Sequence, residues 1–467
     1  MAKEKSPGEL LQEKLVHKPE SSGNKMSQQE LDKVFAFCEE YKKFLDAAKT
    51  ERECVEWTVP LLEQKGYRPF DPQKAYKPGD KIYLANRGKA LIFAAIGKRP
   101  LSDGVKILAS HIDAPRIDLK QRPLYEEAQL AMLKTHYYGG VRKYQWVAIP
   151  LAMHGVIIKK DGETVRVNIG EDDADPVFCI NDLLPHLAKE QEKRTLGEGI
   201  KGEELNVLVG SLPFKDDKVS EKVKLNILRL LGEKYGIVEE DFLSAELSLV
   251  PAFKARDIGF DCSMIGAYGH DDRVCAYTSI MASLDAPSPQ HTWVNVLADK
   301  EETGSEGNTG LQSRFLENFI TDLARGQDLE GRRVLEKSEC LSADVNGAFD
   351  PTFPDVNDKK NCCYIGYGAV MSKYTGARGK SSTNDASAEF VGKVRRLFDS
   401  EDIHWQSAEL GKVDAGGGGT VAKFISNLGA DVVDIGVPVL SMHAPMEVVG
   451  KTDVYNAYRA FLAFIEQ

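Results

Sequence analysis

Short apolar segments that alternate with helical patterns constrain the fold of this chain more than any other feature. Three strand-like runs occur early in the chain, at residues 81–85 (KIYLA), 90–97 (ALIFAAIG) and 105–110 (VKILAS). Later, the strand-like segments HTWVNVLAD, ECLSADV and DVVDIGVPVLSMH alternate with helical patterns at 386–399, 418–428 and 453–466. This alternation predicts an α/β fold, with a mainly parallel sheet that carries helices on both faces.

A β-rich stretch interrupts this pattern in the middle of the chain. Its segment WVAIPLAMHGVIIKKDGETVRVNIG contains a turn signal at residues 160–162, and the polar residues 186–206 predict a mobile loop. We interpret the stretch as a domain inserted into the α/β domain, which agrees with the two or three domains that 467 residues allow. The predicted boundaries are 1–120 for the first part of the α/β domain, 121–254 for the insertion and 255–467 for the second part.

The region before the first strand is predicted to contain an arm and two helices. The first twenty-odd residues are polar and rich in Lys, Glu and Ser, which indicates an arm that is disordered or docks on another surface. Helical spacing begins after Ser27, which forms a capping-box pattern with Glu30. A second helical pattern runs from about Glu51 to Gln64.

Four consecutive glycines, at residues 416–419, leave two interpretations open. They favour a flexible loop, because glycine has the greatest backbone freedom. They also lie just before a helical pattern and are followed by Thr420, an arrangement that suits a helix N-terminus that receives an anion.

Charge and composition exclude several classes of protein. The 60 basic and 71 acidic residues give a net charge of -11, which argues against a phosphate-binding surface and therefore against nucleic acid as a partner. No apolar run approaches the roughly 20 residues of a membrane-spanning helix, and the first residues lack the apolar core of a signal peptide, so we expect a cytoplasmic protein. The eight cysteines include no C-x-x-C pair, which favours free thiols.

Acidic residues and histidines follow several of the apolar segments. His111 comes directly after VKILAS, and Asp113 is placed to orient its imidazole. The other candidates are Asp271 in GHDDR, Glu301 and Glu302 in DKEETGSEG, Asp344 at the end of ECLSAD and His443 at the end of VPVLSMH. Each alone has an ordinary explanation, such as a turn, a cap or a hydrogen-bonded histidine. Because side chains just past the strand ends of an α/β sheet face one crevice, we expect these residues to meet.

This set of side chains matches the needs of a two-metal hydrolytic site. Two divalent ions roughly 3.5 Å apart require a bridging carboxylate, about two further ligands each and an unligated carboxylate that takes a proton from the bridging water. Neighbouring residues such as Glu301 and Glu302 can point in different directions, so one can bind metal while the other acts as general base. The sequence therefore predicts two divalent metal ions per chain, with zinc favoured and cobalt or manganese as alternatives.

With these residues assembled, the chain resembles the aspartyl aminopeptidase and aminopeptidase I family of dinuclear metallopeptidases, in its bacterial-type branch. The resemblance rests on five ordered motifs, which are SHIDAPRIDLK, GHDDR, DKEETGS, SADV and SMHAP. It implies that the α/β domain is catalytic and that the insertion is a dimerisation domain, in which residues 185–188 match the family's PHLA motif.

The resemblance also implies a role for each site residue. The metal ligands would be His111, Asp271, Glu302, Asp344 and His443. Asp271 would bridge the two ions, Glu301 would be the general base that deprotonates the bridging water, and Asp113 would hold His111. His186 would reach across the dimer into the partner's active site, although a histidine that caps a Pro-initiated helix would look the same in sequence.

The implied function is removal of N-terminal residues from peptides by dimers that assemble further into a dodecamer. Another dinuclear zinc amidohydrolase or carboxypeptidase is the nearest alternative, and a catalytically silent scaffold is a third. Two departures concern substrate contacts: Asn346 and Asp350 stand where eukaryotic members have a histidine-rich stretch, and residues 414–415 precede the glycines where those members have a Cys-Gly-Thr type sequence. A preference for acidic N-terminal residues is therefore not implied.

Overall fold

The computed structural model describes residues 5–287 and 289–467 and contains three β-sheets. In chain order the first strands are β1 (Arg68–Pro69), β2 (Lys81–Asn86), β3 (Ala90–Ala95), β4 (Lys106–His111), β5 (Arg116–Glu127), β6 (Leu130–Tyr138), β7 (Leu151–Ile158), β8 (Thr164–Ile169), β9 (Cys179–Ile180), β10 (Val207–Gly210) and β11 (Ala245–Pro251). They are followed by β12 (Arg256–Ile258), β13 (Met264–Ala267), β14 (Trp293–Ala298), β15 (Glu339–Ser342), β16 (Asn346–Gly347), β17 (Ala369–Ser372), β18 (Trp405–Ser407), β19 (Asp431–Gly436), β20 (Pro438–Leu440) and β21 (Glu447–Gly450).

The α-helices precede the first strand, cover the sheets and close the chain. They are α1 (Pro7–Leu15), α2 (Ser22–Lys25), α3 (Gln28–Ala47), α4 (Glu51–Gln64), α5 (Lys222–Tyr235), α6 (His270–Asp285), α7 (Phe315–Arg325), α8 (Gly331–Leu335), α9 (Ala388–Ser400), α10 (Ala422–Ser426) and α11 (Lys451–Glu466). None of the helices in the described part of the chain is both long and apolar enough to span a bilayer.

The nine-stranded sheet confirms the predicted α/β fold. Its strand order is β1-β2-β3-β14-β4-β15-β19-β17-β18. Five of its eight neighbouring pairs are parallel, including the three pairs among the central strands β14, β4, β15 and β19. Every residue of β3, β4 and β14 is buried, as expected when both faces of a parallel sheet are covered.

Alternate residues of each central strand contribute to cores on opposite faces of this sheet. Leu108 of β4 packs in one core with residues of α3, α4, α6, α9 and α11. Its neighbours Ile107 and Ala109 pack in the other core with residues of α7, α8 and α10. This two-residue alternation is the geometry of a strand that is buried on both sides.

The seven-stranded sheet lies in the middle of the chain and is antiparallel throughout. Its order is β8-β7-β11-β5-β6-β10-β9, so all of its strands come from the stretch between Arg116 and Pro251. Helix α5 contributes Val223 to the core on this sheet. The domain boundaries at 121 and 254 stay a prediction, and β5 begins five residues before the first of them.

The third sheet has five strands in the order β12-β13-β21-β20-β16 and corrects one sequence-based expectation. The segment DVVDIGVPVLSMH is predicted as one strand, but the structure divides it between β19 of the nine-stranded sheet and β20 of the five-stranded sheet. Pro438 stands at the division. Proline has no N–H to donate within a central strand, so the chain leaves the first sheet there.

The helix predictions agree with the structure to different degrees. Helix α3 begins with the predicted capping box of Ser27 and Glu30, and α4 has the predicted bounds. Helix α10 is shorter than its predicted range of 418–428. The glycines at 416–419 lie outside it, and Gly418 donates a backbone hydrogen bond to the Thr375 carbonyl at 2.9 Å, as in an ordered loop.

Candidate metal centre

The carboxyl ends of the central parallel strands bring the first predicted site residues together. His111 is the last residue of β4 and lies opposite Ala298, the last residue of β14. Glu301 and Glu302 follow β14 in a short 3-10 helix that spans Glu301–Thr303. The parallel pairing of two buried strands therefore places the histidine beside the glutamate pair.

The other predicted ligands reach this position from β15 and from the five-stranded sheet. Ser342 of β15 lies opposite Ala109 of β4, so Asp344, two residues further on, is level with the end of β4. Asp271 is the second residue of α6, which follows β13, and His443 follows β20. The expectation that one sheet carries all these segments is wrong for Asp271 and His443, which meet the others where two sheets adjoin.

The turn that precedes Asp271 depends on a glycine and a buried histidine. Gly269 adopts a φ of +73°, and a Cβ at this position would lie 1.5 Å from the guanidinium of Arg273, so only glycine fits. The next residue, His270, is buried, and Nε2 donates to the Ile265 carbonyl while Nδ1 accepts from the Tyr41 hydroxyl. Burial lowers the pKa of His270 to about 3, so this histidine is a neutral structural residue.

The two ring nitrogens of His111 face different partners. Nδ1 lies 3.1 Å from the carbonyl oxygen of Asp113 and 3.3 Å from Oδ1 of the same residue. Nε2 lies 3.1 Å from Asp271 Oδ1, 3.8 Å from Asp344 Oδ1 and 4.0 Å from Glu301 Oε2. Histidines that bind metal usually donate their other N–H to a carbonyl or carboxylate, so this orientation leaves Nε2 for a metal.

Asp271 lies between the two predicted histidine ligands. Its Oδ1 is 3.1 Å from His111 Nε2, and its Oδ2 is 3.2 Å from His443 Nε2. Glu302 Oε2 is 3.4 Å from the same His443 nitrogen. His443 Nδ1 donates to the Gly140 carbonyl at 3.0 Å, which leaves its Nε2 for a metal as well. One carboxylate is thus flanked by two groups of ligand atoms.

Two sets of three side chains within the described residues each offer ligand atoms that lie within 4.8 Å of one another. One set is His111, Asp272 and Asp344, and the other is His111, Asp271 and Glu302. Asp272 is not among the sequence-predicted ligands, although it stands in the same HDDR motif. Its Oδ2 accepts a hydrogen bond from the His111 backbone N–H at 3.4 Å.

The carboxylate of Asp113 contacts both His111 and the backbone of the glutamate pair. Besides facing His111, its Oδ1 accepts from the Glu301 backbone N–H at 3.1 Å, and its Oδ2 accepts from the Glu302 backbone N–H at 3.2 Å. The Tyr138 hydroxyl donates to Oδ2 at 2.8 Å. Burial opposes ionisation, but the bond with His111, its charge and the bond with Tyr138 together outweigh burial and lower the pKa of Asp113. This residue therefore stays an acceptor that fixes the glutamate pair.

The electrostatics of the cluster favour a bound cation. Burial raises the pKa of Glu301 to about 7, and burial together with the charge of Asp271 raises the pKa of Glu302 well above its usual range. Burial would lower the pKa of His443, but the bond with Asp271 and the charges of Glu302 and Asp271 together outweigh this and raise that pKa to about 10. Glu301 and Glu302 are thus buried beside the negative charge of Asp271, which favours their protonated forms in the metal-free cluster.

Two buried carboxylate oxygens without a hydrogen-bond partner in the described part of the chain indicate that a metal ion fits this site. Glu302 Oε1 and Asp272 Oδ1 have no hydrogen-bond partner among the described residues. An unpaired buried carboxylate oxygen is costly unless a cation or a donor satisfies it. Together with imidazole nitrogens and several carboxylates, and without cysteine, this donor set suits a hydrolytic zinc site.

Sequence reasoning missed Glu447. Its Oε2 accepts a hydrogen bond from the Asp271 backbone N–H at 3.0 Å, and its Oε1 accepts from the His443 backbone N–H at 2.6 Å. Burial raises the pKa of Glu447 to about 8. The only signal in the sequence is a glutamate four residues after the histidine in SMHAPME. Nothing in that spacing indicates a residue that bonds to the backbone of both Asp271 and His443.

His186 is the one predicted site residue that the structure does not bring to the cluster within this chain. It lies in the 3-10 helix Pro185–Leu187, and its side chain is exposed. Among the described residues, it forms no hydrogen bond or ion pair with the metal-centre side chains. Its role in a partner's site stays a prediction.

Comparison with known proteins agrees with this geometry. Residues 44–465 match the profile of the aminopeptidase I zinc metalloprotease family (M18). The chain belongs to the M18 family. A relative named probable M18 family aminopeptidase 1, from Clostridium acetobutylicum, is 51% identical over 467 residues, which cover 98% of this chain and 99% of the relative.

Solved M18 structures share the fold. The crystal structure of aminopeptidase I from Clostridium acetobutylicum has a TM-score of 0.92 at 49% identity and covers 97% of this chain and 100% of that one. The M18 aminopeptidase of Thermotoga maritima has a TM-score of 0.92 at 43% identity, with 96% and 99% covered. A yeast structure described as the mApe1 dodecamer has a TM-score of 0.74 at 22% identity, with 91% and 95% covered, and shows the fold alone.

Membership of the M18 family confirms that this chain is a zinc metalloaminopeptidase. It therefore decides against the alternatives of an amidohydrolase, a carboxypeptidase and a silent scaffold.

Proposed function

We propose that this M18 enzyme binds two zinc ions per chain in the cluster around Asp271 and uses Glu301 as its general base. The observation that carries the proposal is the position of Asp271, whose two oxygens lie 3.1 Å and 3.2 Å from two different histidines. A single-ion site has no need for a carboxylate shared in this way. We expect the natural reaction to release the N-terminal residue of a peptide.

The ligands divide into two groups around the shared carboxylate. On one side, His111 Nε2 lies 3.8 Å from Asp344 Oδ1. On the other side, His443 Nε2 lies 3.4 Å from Glu302 Oε2. We therefore assign His111 and Asp344 to one ion, Glu302 and His443 to the other, and Asp271 to both. When bound, zinc acidifies a coordinated water and polarises the scissile carbonyl.

Glu301 suits proton transfer better than its neighbour does. Its side chain is 17% exposed, whereas that of Glu302 is 4% exposed, so only Glu301 has some access to the cleft. Burial raises the pKa of Glu301 to about 7 in the metal-free protein, so burial favours acceptance of a proton by this carboxylate. We assign it to take a proton from the attacking water and to give it to the leaving amine.

The inserted stretch supports a homodimer in which His186 acts on the partner's site. Large apolar side chains near this residue in the sequence are exposed, and they include Leu183, Leu184, Leu187 and Leu196. Clustered exposed leucines are typical of a surface that another protein covers. The yeast protein of the same fold assembles as a dodecamer, and we propose that dimers of this chain do the same in the cytoplasm.

Zinc titration of the metal-free enzyme tests the proposal directly. We expect two ions to bind per chain, with activity on aminoacyl p-nitroanilides returning as the second site fills. A peptide with an acetylated N-terminus should not be cleaved. Full activity at one ion per chain would contradict the two-ion assignment.

A further inference from the structure

The last residue of β6 connects the seven-stranded sheet to the metal centre. The Tyr138 hydroxyl donates to Asp113 Oδ2 at 2.8 Å, and Asp113 also holds the backbone N–H groups of Glu301 and Glu302. Tyr138 is the only side chain of the described part of β6 that bonds to Asp113. The position of the glutamate pair therefore depends on a hydroxyl from another sheet.

The two glycines after Tyr138 contact the other side of the site. Gly139 has a φ of +74°, and a Cβ there would lie 3.2 Å from the Cβ of Glu302. Gly140 presents its carbonyl to His443 Nδ1 at 3.0 Å. Three consecutive residues thus lie beside the site: Tyr138 and Gly140 bond to Asp113 and His443, and Gly139 leaves little room between itself and Glu302.

The ring of Tyr138 is itself fixed. The Arg116 guanidinium lies 4.1 Å from the ring centroid, within the range of a cation–π interaction. Arg116 donates to Glu51 of α4 at 2.9 Å and to Asp118 of β5 at 2.8 Å. Because both carboxylates hold the guanidinium, the hydroxyl of Tyr138 has little freedom to leave Asp113.

From these contacts we infer that residues 138–140 form a positioning segment, by which the seven-stranded sheet orients the ligands of the metal centre, with Tyr138 as its positioning residue. The physical reason is that hydrogen bonds to a ligand's second atom set the orientation of its metal-binding atom. The inference rests on the proposed function, since it takes Glu302 and His443 as ligands.

The first test compares Tyr138→Phe with Tyr137→Phe. Tyr138→Phe removes one hydroxyl and keeps the ring, whereas the half-exposed Tyr137 hydroxyl has no hydrogen-bond partner among the described residues. Zinc affinity is measured by competition with a chelator, and kcat and KM are measured separately. Because loss of such an outer partner costs about 10 to 100-fold in metal affinity or activity, we expect Tyr138→Phe to lose zinc affinity or kcat by that factor, with KM nearly unchanged. Tyr137→Phe should match the wild type.

The second test keeps the inference falsifiable if Tyr138→Phe fails to fold. Gly139→Ala adds a Cβ against Glu302, and Gly162→Ala adds one at a φ of +90° in a turn of the same sheet with no atom within 4 Å. Both variants carry similar backbone strain, but only Gly139→Ala should weaken zinc binding. The inference is overturned if Tyr138→Phe equals Tyr137→Phe, or if Gly139→Ala equals Gly162→Ala, in zinc affinity and kcat.

These comparisons separate the inference from the proposed function. If the wild type binds one ion instead of two, the two-ion proposal fails, but the paired variants still report whether residues 138–140 position the ligands of that ion. If the wild type binds two ions and the pairs do not differ, only the inference fails.

Discussion

The nine-stranded sheet and the seven-stranded sheet contribute to the metal centre in different ways. The first supplies proposed metal ligands from strand ends, such as His111 on β4 and Asp344 beyond β15. The second supplies the Tyr138 hydroxyl and the Gly140 carbonyl, which form hydrogen bonds with Asp113 and His443. The nine-stranded sheet thus contributes site side chains directly, together with the five-stranded sheet, while the seven-stranded sheet contributes contacts that orient them.

The largest expected effect comes from the residue shared by the two groups of ligands. Asp271→Ala removes oxygens that lie near both histidines, so we expect both ions to be lost. Since each 1.36 kcal/mol of lost transition-state stabilisation is tenfold in rate, loss of several kcal/mol should lower kcat/KM by about 10⁴-fold. Elemental analysis and kinetics check this, with the exposed turn residue Asp161→Ala as the control. Retention of two ions would contradict the shared role.

The sequence allowed prediction of those site residues that lie at the ends of strands. His111 ends one fully buried strand and Glu301 and Glu302 follow another, and the carboxyl ends of such strands face one crevice in an α/β sheet, so their meeting could be foreseen. Their separate roles came from family resemblance, not from spacing. The split of DVVDIGVPVLSMH between two sheets at Pro438 shows how one residue can redirect a strand-like segment.

The remaining parts could not be predicted because they depend on long-range packing. Glu447 acts through its contacts with two backbone N–H groups, 176 and 4 residues away in the chain. The same holds for Tyr138, whose sequence context is an ordinary strand end. A residue that only positions others carries no chemical signature in its own motif, so sequence alone does not single it out.

The next prediction concerns the seven-stranded sheet and its exposed histidine. If His186 acts in the partner's site, His186→Ala and Glu301→Gln subunits, each nearly inactive alone, should complement each other when mixed. In an equal mixture half of the dimers are mixed and each has one intact site, so activity should recover to about a quarter of the wild type. The assay requires verified subunit exchange. Mixtures that stay inactive would mean that His186 does not act in trans.

A smaller effect is expected in the stability of the metal-free protein. The pKa of Glu301 is raised to about 7, that of Glu447 to about 8 and that of His443 to about 10, so these three groups bind more protons in the folded state between pH 5 and 8 and outnumber His270, whose lowered pKa acts in the opposite direction. Stability should therefore fall as pH rises through this window. Asp113 and Asp271 have lowered pKa values, so they change the pH dependence of stability only at more acidic pH.

Thermal unfolding with and without zinc measures this effect. We expect the Tm of the metal-free enzyme to be several degrees lower at pH 8 than at pH 5.5. Zinc should raise the Tm more at pH 8, because ligands must lose their protons to bind it. A metal-free Tm that rises between pH 5.5 and pH 8 would show that other groups dominate the pH dependence.

The most direct test of the account compares the two adjacent glutamates. Metal content and kcat are measured for purified Glu301→Gln and Glu302→Gln after dialysis. A general base contributes about 10² to 10⁴-fold to rate without binding metal, so Glu301→Gln should lose that factor in kcat and keep two zinc ions per chain. Glu302→Gln should first lose affinity for one ion, and its turnover should fall as a consequence. If Glu301→Gln loses zinc while Glu302→Gln keeps both ions, the roles assigned to the two residues are reversed.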